Sequence, residues 1–182
     1  MSNIRGFTLV ELLVVAVIVG ILASIALPNF GPLRSKENVR AVATQFAKDV
    51  EQQRSLARTE NRRRIVKVLS ADATAYLAGP CADNSCTAIS PDMVTASTGN
   101  NVKVLSISGV YPIVLAFSPP YGITDNDNDA STTFSLQKFV FFTEKSKTSN
   151  SLAQNTACPI RGIIEPCRAV HIVGNLGKVI VK

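Results

Sequence analysis

Histidine occurs only once in the 182 residues, as His171, and no Walker motif is present. With one imidazole, and with four and eight residues between neighbouring cysteines, a zinc site lacks both donors and a common ligand spacing. Without a phosphate-cradling loop the chain supplies no ATP-driven force, so any motor is a separate protein. No serine or cysteine sits in a nucleophile motif, and His171 lies beside Val170 and Ile172 in an alternating run, as a packing or surface residue does. The chain therefore reads as a non-enzyme without a cofactor. Charge is modest as well: 19 basic against 13 acidic side chains leave +6. That balance suits anionic partners such as lipid headgroups or nucleic acid, yet it is common among inert proteins.

What the chain does have is a long apolar run. After MSNIRG, fourteen Leu, Ile, Val and Phe residues fall between Phe7 and Leu27, interrupted by one carboxylate, Glu11. The apolar residues favour membrane insertion by about 4 to 8 kcal/mol, against about 2.5 to 3.5 kcal/mol for a central carboxylate, so insertion wins. As a helix the run reaches about 31 Å, enough to cross the hydrocarbon core. An acid kept there calls for a positive partner. Three other readings compete. Ser24, Ile25 and Ala26 form a small-x-small site that would suit a secretory signal peptide, although the charged leader is short and Glu11 interrupts the hydrophobic region. A plain single-pass anchor leaves Glu11 unexplained, and the length of the run disfavours a buried helix of a soluble protein.

The residues GFTLVE, from Gly6 to Glu11, resemble the class III signal of type IV prepilins and pseudopilins. The resemblance implies cleavage by a prepilin peptidase between Gly6 and Phe7 and N-methylation of Phe7. It also supplies the partner: the new amine of Phe7, in the same chain or a neighbouring subunit, neutralises Glu11 as helices stack into a filament, removing an unpaired buried charge. Residues 1–6 are then a cleaved leader, 7–34 a transmembrane and assembly helix, and 35–182 one globular domain. Pro28 clashes with the carbonyl of Ser24 and removes a helical bond, so a kink is expected there. Gly20, Gly31 and Pro32 make the surrounding stretch the weakest part of the helix, and in the pilin family matching positions border a segment that unwinds on assembly.

From Ser35 to about Asn61 the pattern turns amphipathic, with Val39, Val42, Phe46, Val50 and Ala57 on one stripe and Gln53 between the last two. Arg62, Arg63 and Arg64 close the run as cations suited to the helix dipole. After them come β-branched or aromatic runs at 65–69, 102–107, 110–117, 133–143, 168–173 and 178–182, read as antiparallel strands, with Pro112 marking an edge or bulge. The fold class is α+β: a long N-terminal helix, half transmembrane and half amphipathic, packed on a C-terminal antiparallel sheet. Beyond the membrane, oxidation of the cysteines is expected. Of three connectivities, the local pairs Cys81–Cys86 and Cys158–Cys167 are favoured, each closing a short loop and contributing about 2 to 3 kcal/mol.

The stretch from Asn38 to Val68 and the closing VGNLGKVIVK resemble the FimT and GspH group of minor pilins and pseudopilins. Some FimT-like minor pilins bind DNA through a GRxR tail. Here Gly177 is followed by Lys178 and, later, Lys182, so the forks of arginine are replaced by point charges. Arg161 and Arg168 could extend such a patch, though no aromatic residues interleave it to stack bases, and lysines on an edge strand also discourage aggregation. Asp125, Asp127 and Asp129 imitate the first calcium ligands of an EF-hand, but Ala130 and Leu136 stand where its glycine and glutamate belong, which favours a polar turn. The resemblance implies a minor type IV pilin, structural or initiating, in the inner membrane with its globular domain outside the cytoplasm, and later in a filament. Its implied partners are other pilin or pseudopilin subunits, the prepilin peptidase, and an assembly platform with a separate ATPase. A GspH-like type II secretion pseudopilin and a DNA receptor used in transformation are the alternatives.

Overall fold

The computed structural model describes residues 8–26, 30–82, 86, 90–99, 101–106, 111–119, 123–125, 137–147, 158, 163, 166–173 and 178–182. It divides into Met1–Ser35 and Lys36–Lys182. The first unit contains α1, Leu9–Ala26, and the start of α2, Phe30–Thr59. The apolar and amphipathic halves are thus two helices; Pro28, where a kink was expected, lies outside the described residues. Thr8 caps α1, its Oγ1 accepting the Glu11 N–H at 3.3 Å. Thr8 and Glu11 have the spacing of a capping box, and Glu11 sits in the first turn, where the helix dipole favours an anion.

In the second unit the α2 stripe is buried as its period dictates. Val39, Phe46, Val50 and Ala57 have no exposed surface, and Ala43 joins them. The helix stops where Asn61 turns to φ 50 and the Arg62 N–H reaches back to the Ala57 carbonyl at 3.3 Å, a Schellman closure with Asn in the left-handed position. The three arginines therefore lie past the final turn. Arg62 donates to the Cys81 carbonyl at 3.2 Å, Arg63 to Ser118 Oγ at 3.1 Å, and Arg64 to the buried Gln53 Oε1 at 2.7 Å. They fasten the helix end to the strands rather than serve its dipole.

Among the described residues nine strands follow: β1 Arg64–Val68, β2 Ala75–Pro80, β3 Val94–Ser97, β4 Val102–Ser106, β5 Ile113–Ser118, β6 Ile123–Asp125, β7 Gln137–Thr143, β8 Cys167–Val173 and β9 Lys178–Val181. They form two sheets where one was expected, ordered β3-β2-β1-β5-β6 and β4-β7-β8-β9, and all neighbours are antiparallel. β5 begins after Pro112 and runs between β1 and β6, so the proline precedes a central strand instead of marking an edge. Phe46 joins both sheets to the helix. Its ring meets Tyr76 of β2 edge-on at 4.9 Å and lies 5.1 and 5.2 Å from Phe139 and Phe141 of β7. The Val104 N–H donates to Ala73 O at 2.9 Å across the seam between the sheets.

The first sheet, and part of the second, is also covered on the face away from α2, which is why β1 and β5 are buried along nearly their whole length. The Cys81–Cys86 disulfide packs with Ile65, Val114 and Ala116 on the first sheet, and Cys158–Cys167 packs with Val140, Phe142 and Ala169 on the second. Both local pairings expected from the sequence are present. On the first sheet the cover passes close to Gly79, where a Cβ would lie 2.8 Å from Met93 Cα and 3.2 Å from the Asp92 carbonyl. Gly79→Ala should therefore cost about 1 to 3 kcal/mol through overpacking. Urea unfolding of residues 35–182 measures it.

Candidate functional site

α1 exposes apolar side chains around its whole circumference, from Leu9 at 82% and Leu12 at 69% to Val19 at 58% and Leu22 at 62%. A helix without a polar face needs an apolar environment on every side. Ser24 satisfies its hydroxyl within the helix by donating to the Ile21 carbonyl at 2.7 Å. Gly20 has open space where a side chain would stand. No helix among the described residues is long and apolar enough to cross a membrane; the 18 residues of α1 cover about 27 Å. Gly6, Phe7 and Pro28 lie outside the described residues, so Glu11 and Gly20 are the expected assembly residues the structure places.

The second candidate region lies on the second sheet. Lys138 of β7 pairs with His171 of β8, which pairs with Ile180 of β9, so all three side chains share one face. Lys178, opposite Val173, and Lys182, whose backbone exchanges two bonds with Ala169, fall on that same face. It is the face turned away from α2, since the alternate residues Phe139, Val170 and Ile172 enter the main core. The His171 imidazole is held below its ordinary range, first by burial and then by repulsion from Lys138 and Lys182. Arg168 pairs with Phe141 and so belongs to the opposite face. Of the expected patch, then, Lys178 and Lys182 come together and Arg168 does not join them; Arg161 and Gly177 lie outside the described residues. Lys138 was not anticipated, although as the one charge in Gln137–Thr143 it was visible. Of the calcium candidates, Asp125 ends β6, while Asp127 and Asp129 lie outside the described residues.

Comparison with known proteins bears on the N-terminal segment and on the fold. Residues 1–27 match the family described as the prokaryotic N-terminal methylation motif. Two crystal forms of the type IV minor pilin FimU from Pseudomonas aeruginosa share the fold. One aligns at 13% identity and a TM-score of 0.55, covering 83% of this chain and 92% of that one. The other aligns at 15% identity and 0.51, covering 79% and 91%. No curated protein matches. By motif and architecture the chain has the type IV pilin fold behind an N-terminal methylation motif. Within that class the particular likeness of fold is to a minor pilin, FimU.

Proposed function

We propose that this chain is a minor type IV pilin, a structural or initiating subunit of a membrane-assembled filament. The observation that carries this reading is α1: a helix apolar on all sides whose first turn holds Glu11, five residues after the Gly6 of the methylation motif. The precursor rests in the inner membrane through residues 7–34, with residues 35–182 outside the cytoplasm, where the two disulfides form. Prepilin peptidase cuts between Gly6 and Phe7, Phe7 is methylated, and an assembly platform driven by a separate ATPase moves the subunit into a filament among other pilins. There α1 is buried against neighbouring helices and the Phe7 amine neutralises Glu11. Gly20 and Pro28 allow the helix to loosen as it packs. A GspH-like pseudopilin of type II secretion would use the same processing and the same buried pair. Removing the peptidase should leave uncut precursor in the membrane and none in sheared filaments; unchanged filament content would contradict the proposal.

A second reading, capture of DNA, is favoured by the shared face of Lys138, His171, Lys178 and Lys182. Lysines contact phosphate as point charges, so retention must be strongest at low salt. In a gel shift of residues 35–182, replacing both Lys178 and Lys182 by serine should weaken binding about tenfold at low salt, as counterion release for two phosphate contacts implies. Because His171 is held below its ordinary value of 6.5, acidification beneath that value adds a charge to the face and should tighten binding. No retardation at low salt would end this reading.

A further inference from the structure

We infer that a cavity between α2 and the first sheet is a binding site for a small ammonium-bearing molecule with an apolar body, either a free α-amino acid or the N-terminal residue of a peptide chain. The cavity measures about 300 Å³, the low end of the range for ligand pockets, which suits a single residue. Small side chains make the room. Ala78 of β2 and Ala96 of β3 both turn toward α2, Ala78 within the main core and Ala96 packed against it. Above them the helix presents Asp49, Gln53 and Leu56, which stand at i, i+4 and i+7 and so form one stripe along α2. Arg64, at the start of β1, also lines the cavity. The site belongs to the unit Lys36–Lys182 and goes beyond the filament reading, since nothing in it calls for a neighbouring subunit.

The polar groups here have hydrogen-bonding capacity to spare. Gln53 is 8% exposed, and its Oε1 accepts the Arg64 Nε–H at 2.7 Å, while its Nε2 has no acceptor among the described residues. No buried side-chain nitrogen or oxygen among the described residues lacks a partner, so Nε2 is not sealed in and opens on the cavity that Gln53 lines. The Arg64 guanidinium, 12% exposed, commits Nε to Gln53 and Nη1 to Glu60, which leaves the two N–H groups of Nη2 uncommitted among the described residues. Asp49 has the opposite need. It accepts from Tyr76 Oη and from Gln45 Nε2, both neutral donors, and no cation pairs with it among the described residues. A half-buried carboxylate without a counter-charge favours an ammonium. One helical turn separates Asp49 from Gln53, about 5 to 6 Å between their Cβ atoms. An α-amino acid carries ammonium and carboxylate on one carbon, so it bridges that gap with its ammonium on Asp49 and its carboxylate on Gln53 Nε2 and Arg64, each a charge-assisted bond. Its side chain then lies against Leu56, Ala78 and Ala96. A peptide N-terminus offers the same ammonium with a neutral carbonyl in place of the carboxylate.

The test uses the full chain in detergent micelles and equilibrium dialysis against labelled leucine, which should bind saturably. N-acetyl-leucine lacks the ammonium and isoamylamine lacks the carboxylate; each should bind about tenfold or more weakly, the scale of one lost charge-assisted hydrogen bond. Leucinamide separates the two sources. An affinity matching or exceeding that of leucine assigns the site to a chain N-terminus, and a weaker one assigns it to the free amino acid. Asp49→Asn keeps an acceptor for Tyr76, and Gln53→Glu keeps the acceptor for Arg64 while turning a donor into an anion; each should weaken leucine binding about tenfold or more. Ala96→Leu fills the floor and should abolish binding. The thermal midpoint of each variant without ligand shows whether it folds, and the series of analogues on the unaltered chain decides the question where a variant does not. No saturable binding of leucine or leucinamide overturns the proposal. So does N-acetyl-leucine or isoamylamine binding as tightly as leucine, or indifference of the folded variants to Asp49→Asn or Ala96→Leu.

Discussion

Glu11→Val should leave cleavage after Gly6 largely intact while reducing entry into filaments at least a hundredfold, an estimate from the about 3 to 5 kcal/mol cost of stranding one member of a buried ion pair. Valine removes the carboxylate and with it the penalty of about 2.5 to 3.5 kcal/mol for placing that group in hydrocarbon, so the variant precursor should be held in the membrane at least as firmly. What it loses is the partner of the Phe7 amine once α1 is surrounded by other helices. The Thr8 cap provides a second explanation for Glu11, because an acid three residues into a helix is favoured whatever surrounds it. Glu11→Gln separates the two. Glutamine keeps the capping-box chemistry and loses at most about 1 kcal/mol of dipole interaction. If Glu11 serves only the cap, the glutamine variant enters filaments normally; if charge neutralisation is its role, that variant fails nearly as completely as valine. Quantifying the subunit in membrane and sheared-filament fractions reads both outcomes.

Phe46→Ala should destabilise residues 35–182 by about 3 to 5 kcal/mol. The ring is fully buried and touches Tyr76 on the first sheet and Phe139 and Phe141 on the second, so its removal leaves a void where α2 and both sheets meet. The neighbouring aromatics are held in two separate ladders and cannot collapse together to fill it. Against a typical total of about 5 to 15 kcal/mol, a loss of this size shifts the urea midpoint strongly while the slope stays unchanged. A cost below about 1 kcal/mol would mean that the helix is not the element joining the two sheets.

How much of this could be read from the sequence depends on which force decided each element. Val39, Phe46, Val50 and Ala57 announced the buried stripe of α2 because large apolar residues at helical spacing leave few alternatives. Ala43 and Ala47 belong to the same face but carry too weak a signal alone. β1, β4, β7, β8 and β9 are rich in Val, Ile and Phe and were legible. β2 was not: Ala75–Pro80 includes two alanines, a glycine and a proline, and it becomes a strand because β1 and β3 pair with it on both sides and the core covers it. The division into two sheets follows from long-range pairings that no local pattern records. Arg62, Arg63 and Arg64 resembled a helix terminus until the Asn61 turn placed them beside strands. At the basic face the odd separation of Arg168 from His171 within β8 already put them on opposite sides, but the meeting of Lys138 with His171 and Lys182 required the register of three strands.

The reading of α1 as an assembly helix depends above all on the creation of a positive amine four residues before Glu11. Mass spectrometry of the N-terminal peptide from the native host decides it most directly. The account predicts a mature chain beginning at Phe7 with a methylated amine. A chain beginning at Leu27, cut by signal peptidase after Ser24, Ile25 and Ala26, would have lost α1 and Glu11 together and would contradict it.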